Sequence, residues 1–168
     1  MSKRINVTAV PPVVGTLYPP PFDRPCRERE RRRLGDVAGL TQFGVNLLRL
    51  APGTWSSQRH WHSHEDEFVY VLAGVVTLVS DDGEEELRAG DAAGFRAGEA
   101  NGHTLQNRGV SEALVLEVGS RVGEQDATTY PDIDLRVPAG GKPVMFTHRD
   151  GTPYDDAPRR AAVIESLE

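Results

Sequence analysis

Residues 53–74 read GTWSSQRHWHSHEDEFVYVLAG, and the alternation inside this stretch decides the fold. His60 and His62 flank Trp61, and Glu67 follows five residues after His62. Side chains two apart in an extended strand share a face, so both imidazoles project together while Trp61 projects away. That arrangement is a metal-chelating pair. In the run that follows, EFVYVLAG, the same alternation places Glu67, Val69 and Val71 on one face. A carboxylate heading an apolar row is costly to bury unless a cation neutralises it.

Working outward, residues 90–107 read GDAAGFRAGEANGHTLQN and contribute His103. Three imidazoles and one carboxylate can hold a divalent transition metal and leave positions open for chemistry. The two stretches resemble the paired motifs of the cupin superfamily, G-x5-H-x-H-x(3,4)-E-x6-G and G-x5-P-x-G-x2-H-x3-N. His60, His62, Glu67 and Gly74 match the first motif; Gly90, Gly98, His103 and Asn107 match the second. There are three departures. Six residues separate Gly53 from His60, Arg96 stands at the proline position, and four residues separate Gly98 from His103, a longer turn expected to shift the third imidazole.

The resemblance covers roughly residues 40–120. It implies an all-β chain built as a cupin double-stranded β-helix, an antiparallel, jelly-roll-like barrel. It also implies a divalent metal, one of Fe, Mn, Ni or Zn, on His60, His62, Glu67 and His103. The longer blocks, with YPDIDLR and THRDGTPY downstream, are similar to small bacterial cupins that carry the label sugar-phosphate isomerase.

The rest of the chain agrees with an antiparallel β fold without reference to any family. QFGVNLLRLAPG from Gln42 reads as a strand ending in a turn, and VVTLVSDDGEEELRAGD as a hairpin turning at Asp82-Gly83. SEALVLEVGS is the last well-formed strand. Short strands every eight to twelve residues or so indicate a sandwich or small barrel. The division expected is an extended N-terminal arm over 1–39, the barrel over 40–122, and an extended C-terminal segment over 123–168 packed on the barrel. One further strand is expected near Val144 to His148. The arm is rich in proline, and RERERRR at 27–33 reads as a solvated surface of mixed charge.

With 168 residues and 38% hydrophobic content, one core is expected. A net charge of −6 argues against a nucleic-acid surface. The single cysteine, Cys26, fits a reducing compartment, and no apolar run approaches the ~20 residues of a membrane span, so a cytoplasmic protein is expected. Open sheet edges favour a homodimer.

Around the metal, Gln58 shares strand parity with His60 and is a candidate for a bond to a metal-bound water or substrate. Arg96 could bind an anionic group at the mouth. Tyr70 and Glu117 are candidates for proton transfer, although Tyr70 and Trp61 alternate outward and fit packing roles equally well. His64 reads as a rim residue. The substrate expected is a small oxygen-rich metabolite. Isomerase, decarboxylase or lyase, and dioxygenase chemistry all remain open, as does a ligand-binding cupin without turnover. A phosphate-bearing substrate would want clustered basic groups, and the two lysines, Lys3 and Lys142, lie outside the barrel stretch.

Overall fold

The computed structural model describes residues 4–140 and 145–154. β1 (Val13–Val14) pairs antiparallel with β2 (Glu30–Arg33), and a short helix α1 (Leu34–Ala38) leads into β3 (Phe43–Leu50). β4 (Trp61–His62) carries the first motif, followed by β5 (Glu67–Ala73), β6 (Val75–Ser80), β7 (Gly83–Arg88) and β8 (Ala92–Phe95). The second motif ends in β9 (Thr104–Gln106). β10 (Ala113–Ser120), β11 (Thr128–Tyr130) and β12 (Leu135–Val137) complete the chain's strands among the described residues.

These strands form a six-stranded sheet in the order β1-β2-β3-β10-β5-β8, a three-stranded sheet β7-β6-β9, and a second three-stranded sheet β12-β11-β4. Every pairing is antiparallel. This is the jelly-roll barrel the motifs imply. The large sheet faces β7-β6-β9 across a core of Leu48, Leu50, Val71, Val76, Leu105 and Val115, all at most 2% exposed. Period-two alternation produces that layer, since β5 buries Val69 and Val71 while exposing Phe68, Tyr70 and Leu72. At Gly74 the chain must turn from β5 into β6 with φ +78. A Cβ there would lie 2.6 Å from the Glu112 carbonyl oxygen, so only glycine fits.

A second cluster joins Tyr18 and Cys26 from the N-terminal segment to Tyr130, Leu135, Val137 and Phe146. The Tyr18 ring meets Tyr130 edge-on at 5.6 Å between centroids. The N-terminal segment and the stretch around β11 and β12 are thus packed against each other beside the barrel.

Three expectations are corrected here. Residues 30–33 are not a solvated surface: Arg31 pairs with Leu48 in the register of β2 with β3, which turns its side chain to the barrel interior. After Gly123 the chain is not coil throughout, because β11 and β12 form a ladder with β4. In the strand expected near Val144 to His148, Val144 lies outside the described residues, and Thr147 makes only isolated bridges to Arg136 and Pro153. Lys3 and Lys142 also lie outside the described residues.

Candidate metal centre

β4 and the bridge residue before it supply His60 and His62, β5 opens on Glu67, and His103 immediately precedes β9. His60 and His103 exchange both backbone hydrogen bonds, N–H to O at 3.1 and 2.9 Å, which ties the two motifs together at the site. Gly98 N–H donates to the His62 carbonyl at 2.9 Å. The longer turn between Gly98 and His103 therefore does not displace the third imidazole, because the reciprocal bonds set its position. Asn107, buried at the end of the second motif, donates to the carbonyls of Leu50 and Ser111 at 2.8 Å each. Its role is to hold the strand end.

The Nε2 atoms of His103, His60 and His62 lie 2.9, 3.5 and 3.6 Å from one oxygen of Glu67. Donor atoms held 2.0–2.2 Å from one ion would lie about 3.0 Å apart at right angles and about 3.4 Å apart at tetrahedral angles. The spacing of His60, His62 and Glu67 fits a common ion. His60, His62 and Glu67 offer donor atoms mutually within 4.8 Å, and His103 joins them through Glu67. Three nitrogens and one oxygen suit a first-row transition ion such as Mn, Fe, Ni or Zn.

The tautomers fit as well. His60 Nδ1 bonds the Gln58 carbonyl at 2.9 Å and His62 Nδ1 bonds Asp126 at 2.7 Å. A proton held at each Nδ1 leaves the Nε2 lone pair aimed at the common point. His103 is held differently: its Nδ1 is buried with no partner among the described residues, and its ring stacks on Phe95 at 3.5 Å and 2°. Burial pushes His60 down to about 3 against the opposing charge of Glu67, so it is neutral at physiological pH. For His62, burial works downward but the Asp126 bond and the Glu67 charge outweigh it and leave its pKa raised. For Glu67, burial works upward, yet the His103 bond and the surrounding imidazoles hold it well below the usual carboxylate range. The site presents an anion among imidazoles.

Three cavities meet at these side chains. The first, about 360 Å³, is bounded by His60, His62, Glu67 and His103 and reaches Arg29, Arg31 and Glu117. A second, about 260 Å³, touches His62, Glu67 and His103 from the other side and opens past Trp61, Arg96 and Glu99. A third, about 300 Å³, runs between His60, Tyr18 and the apolar side chains of Val13, Val137 and Phe146.

The remaining candidates divide. Gln58 is buried, but its amide donates to the Phe22 carbonyl at 2.6 Å and so packs the N-terminal segment instead of facing the centre. Tyr70 stands 38% exposed on the outer face of β5, because alternation from Glu67 turns it away from the site. Arg96 is exposed at the rim of the second cavity, and His64 is exposed with its ring against the Ser63 hydroxyl at 2.8 Å. His148 pairs with Asp134 at 2.7 Å, far along the chain from the centre. Glu117 does face the first cavity, where it accepts two bonds from Arg31 at 2.7 and 3.0 Å.

Asp126, Phe95, Arg29 and Arg31 were not anticipated. Asp126 and Phe95 carry no local signal, since their roles exist only through tertiary contact. The arginines do carry one. In Arg27-Glu28-Arg29-Glu30-Arg31, the charges alternate in sign with the period of a strand, which places Arg29 and Arg31 on one face and both glutamates on the other.

The family model described as a cupin domain matches residues 46–119. Protein SchB of Streptomyces halstedii is 33% identical over 121 residues, which span 66% of this chain and 86% of SchB. Among solved structures, a protein described as a sugar phosphate isomerase of the cupin superfamily from Silicibacter pomeroyi is 39% identical with a TM-score of 0.84, covering 92% of this chain and 98% of its own. Another protein assigned as a sugar phosphate isomerase, from Acidithiobacillus ferrooxidans, is 31% identical with a TM-score of 0.65 over 77% of this chain and 78% of its own.

Proposed function

This chain belongs to the cupin family, and on that premise we propose that it is a metal-dependent enzyme acting on a small, anionic, oxygen-rich metabolite. His60, His62, Glu67 and His103 hold the divalent ion. The observation that carries the reading is the convergence of three Nε2 atoms on one Glu67 oxygen at the wall of a cavity that also contains Arg29 and Arg31. Three neutral imidazoles and one carboxylate leave a divalent ion with a net charge of about +1, which attracts anionic oxygen. When bound, the ion supplies Lewis-acid polarisation of a carbonyl or hydroxyl oxygen.

Interconversion of a carbonyl with its neighbouring hydroxyl is the reaction class we favour, supported by the description given to the Silicibacter and Acidithiobacillus proteins. The chain's own groups have separable parts in it. Asp126 and the Gln58 carbonyl hold protons at Nδ1 of His62 and His60 and so fix both rings. Arg29 and Arg31 draw the anionic group into the cavity. Glu65, which lines the first and second cavities beside His62, is placed to carry a proton between substrate carbons. Burial raises the pKa of Tyr18 and of Tyr130, so both phenols keep their protons at the cavity's edge.

The test is elemental analysis of protein purified without added metal, beside a His60→Ala, His62→Ala double variant. It is followed by NMR of deuterium exchange at the carbon next to the carbonyl of hydroxy-carbonyl compounds. The expected result is metal and exchange in the wild type and neither in the variant. Equal metal content in both proteins would remove the centre. Metal without exchange would leave a ligand-binding cupin.

The assembly proposed is a homodimer through the outer face of the six-stranded sheet. Phe68, Tyr70 and Leu72 stand 45%, 38% and 46% exposed along β5, beside Leu114 and Leu116 of β10. Contiguous apolar side chains of this kind mark an association surface.

A further inference from the structure

The inner cavity contains a cation with no carboxylate bonded to it. Arg29 is half-buried, its Nε donating to the Gly15 carbonyl at 2.9 Å and its Nη1 to the Ser56 carbonyl. Among the described residues no carboxylate pairs with it; its other neighbour is the face of the Tyr18 ring, 5.8 Å from the guanidinium carbon. Arg31 beside it is neutralised by the two bonds from Glu117. Two guanidiniums and one carboxylate leave this wall with one net positive charge. A charge removed from water without a partner is costly, and a guanidinium has five N–H donors of which the two carbonyls use only part. The cavity supplies the space for the missing anion.

We propose that the Arg29–Arg31 wall is a carboxylate subsite, and that the substrate is a small hydroxy- or oxo-carboxylic acid. Its carboxylate faces Arg29 while its second oxygen faces the imidazoles. This rests on the metal-centre reading above and narrows its substrate. The single unmatched charge on the wall, counted apart from the metal centre, matches a carboxylate, which carries one negative charge, better than a phosphate monoester, which carries about 1.5 to 2 at neutral pH. Planar guanidinium donors also match the two coplanar oxygens of a carboxylate. Arg29, Arg31, His60 and His62 bound both the first and the third cavity, so an acid held at the arginines lies beside the imidazoles. Burial and the neighbouring Arg31 lower the Arg29 pKa, as expected of a cation awaiting its anion.

The experiment is calorimetric binding of glycolate and of inorganic phosphate to the protein as purified, with metal content measured on every sample. Wild type is expected to bind glycolate more tightly than phosphate. Arg29→Met is expected to weaken glycolate roughly tenfold or more, the scale of a lost charge-assisted bond, with metal content unchanged. Glu117→Gln adds one net positive charge to the wall and is expected to move the preference toward phosphate. It also tests the proposal if Arg29→Met does not fold. Phosphate binding tighter than glycolate in the wild type, or Glu117→Gln leaving the preference unmoved, overturns the carboxylate assignment. Failure of the metal centre reads out separately, as equal metal in wild type and the double histidine variant. Dependence of glycolate on Arg29 in that case still upholds the subsite.

Discussion

At one end of the barrel, β3, β10 and β5 present Leu48, Val115 and Val71 to one another; two residues along they present Asn46, Glu117 and Val69, and two further on Glu67 stands opposite Gly119. The backbone ladder is continuous across both ends, so hydrogen bonding does not distinguish them. The side chains do. At the first end apolar groups exclude water and stabilise the fold by roughly 25 cal/mol per Å² buried. At the second, polar groups are held in fixed orientations around open space. The lesson is that a sheet can be anchored at one end and polar at the other with a step of two to four residues between.

That contrast can be broken most forcefully at Leu48, which is fully buried. Leu48→Ala is expected to cost about 2–5 kcal/mol in denaturant unfolding while the folded protein still binds metal. A loss of metal at unchanged stability would show that the two ends are not separate. Next comes Asp126→Asn at the polar end. It keeps the shape but loses the carboxylate that fixes the His62 ring, and metal affinity by competition with a chelator is expected to fall tenfold to a hundredfold, about 1.4–2.7 kcal/mol. The unfolding midpoint of the metal-free protein should move far less than for Leu48→Ala. The smallest effect is expected at Phe95, which is partly apolar core and partly ring support for His103. Phe95→Leu should cost about 0.5–1.5 kcal/mol for the lost stacking and show in both readouts, stability and metal affinity. A change in only one of them would assign Phe95 to one end.

Outside the barrel, Phe68→Glu introduces a charge on the exposed face of β5. A shift from dimer to monomer in light scattering, with metal content retained, is the expected outcome for a contact surface; a wild-type monomer would remove that surface from consideration.

Much of this was legible in the sequence because alternation is a local property. The parity of His60 with His62 and of Glu67 with Val69 gave the ligand faces and the core face together. The Asp82-Gly83 turn gave the β6–β7 hairpin, with Ser80 opposite Gly83. What was not legible depended on which strand lies beside which. Arg29 and Arg31 look like surface charge until β2 is placed at the edge of β3. Asp126 looks like one more acidic loop residue until β11 is placed beside β4. Gln58 failed for a related reason: its parity was read correctly as that of His60, but a carbonyl from the N-terminal segment, at Phe22, claims its amide.

The paired backbone bonds between His60 and His103 have one more implication. Because position is dictated by that clasp, a spacer of four residues upstream of the third imidazole, where the motif has two, still delivers its nitrogen to Glu67. Searches that insist on a fixed count of residues there will pass over chains whose centre is intact.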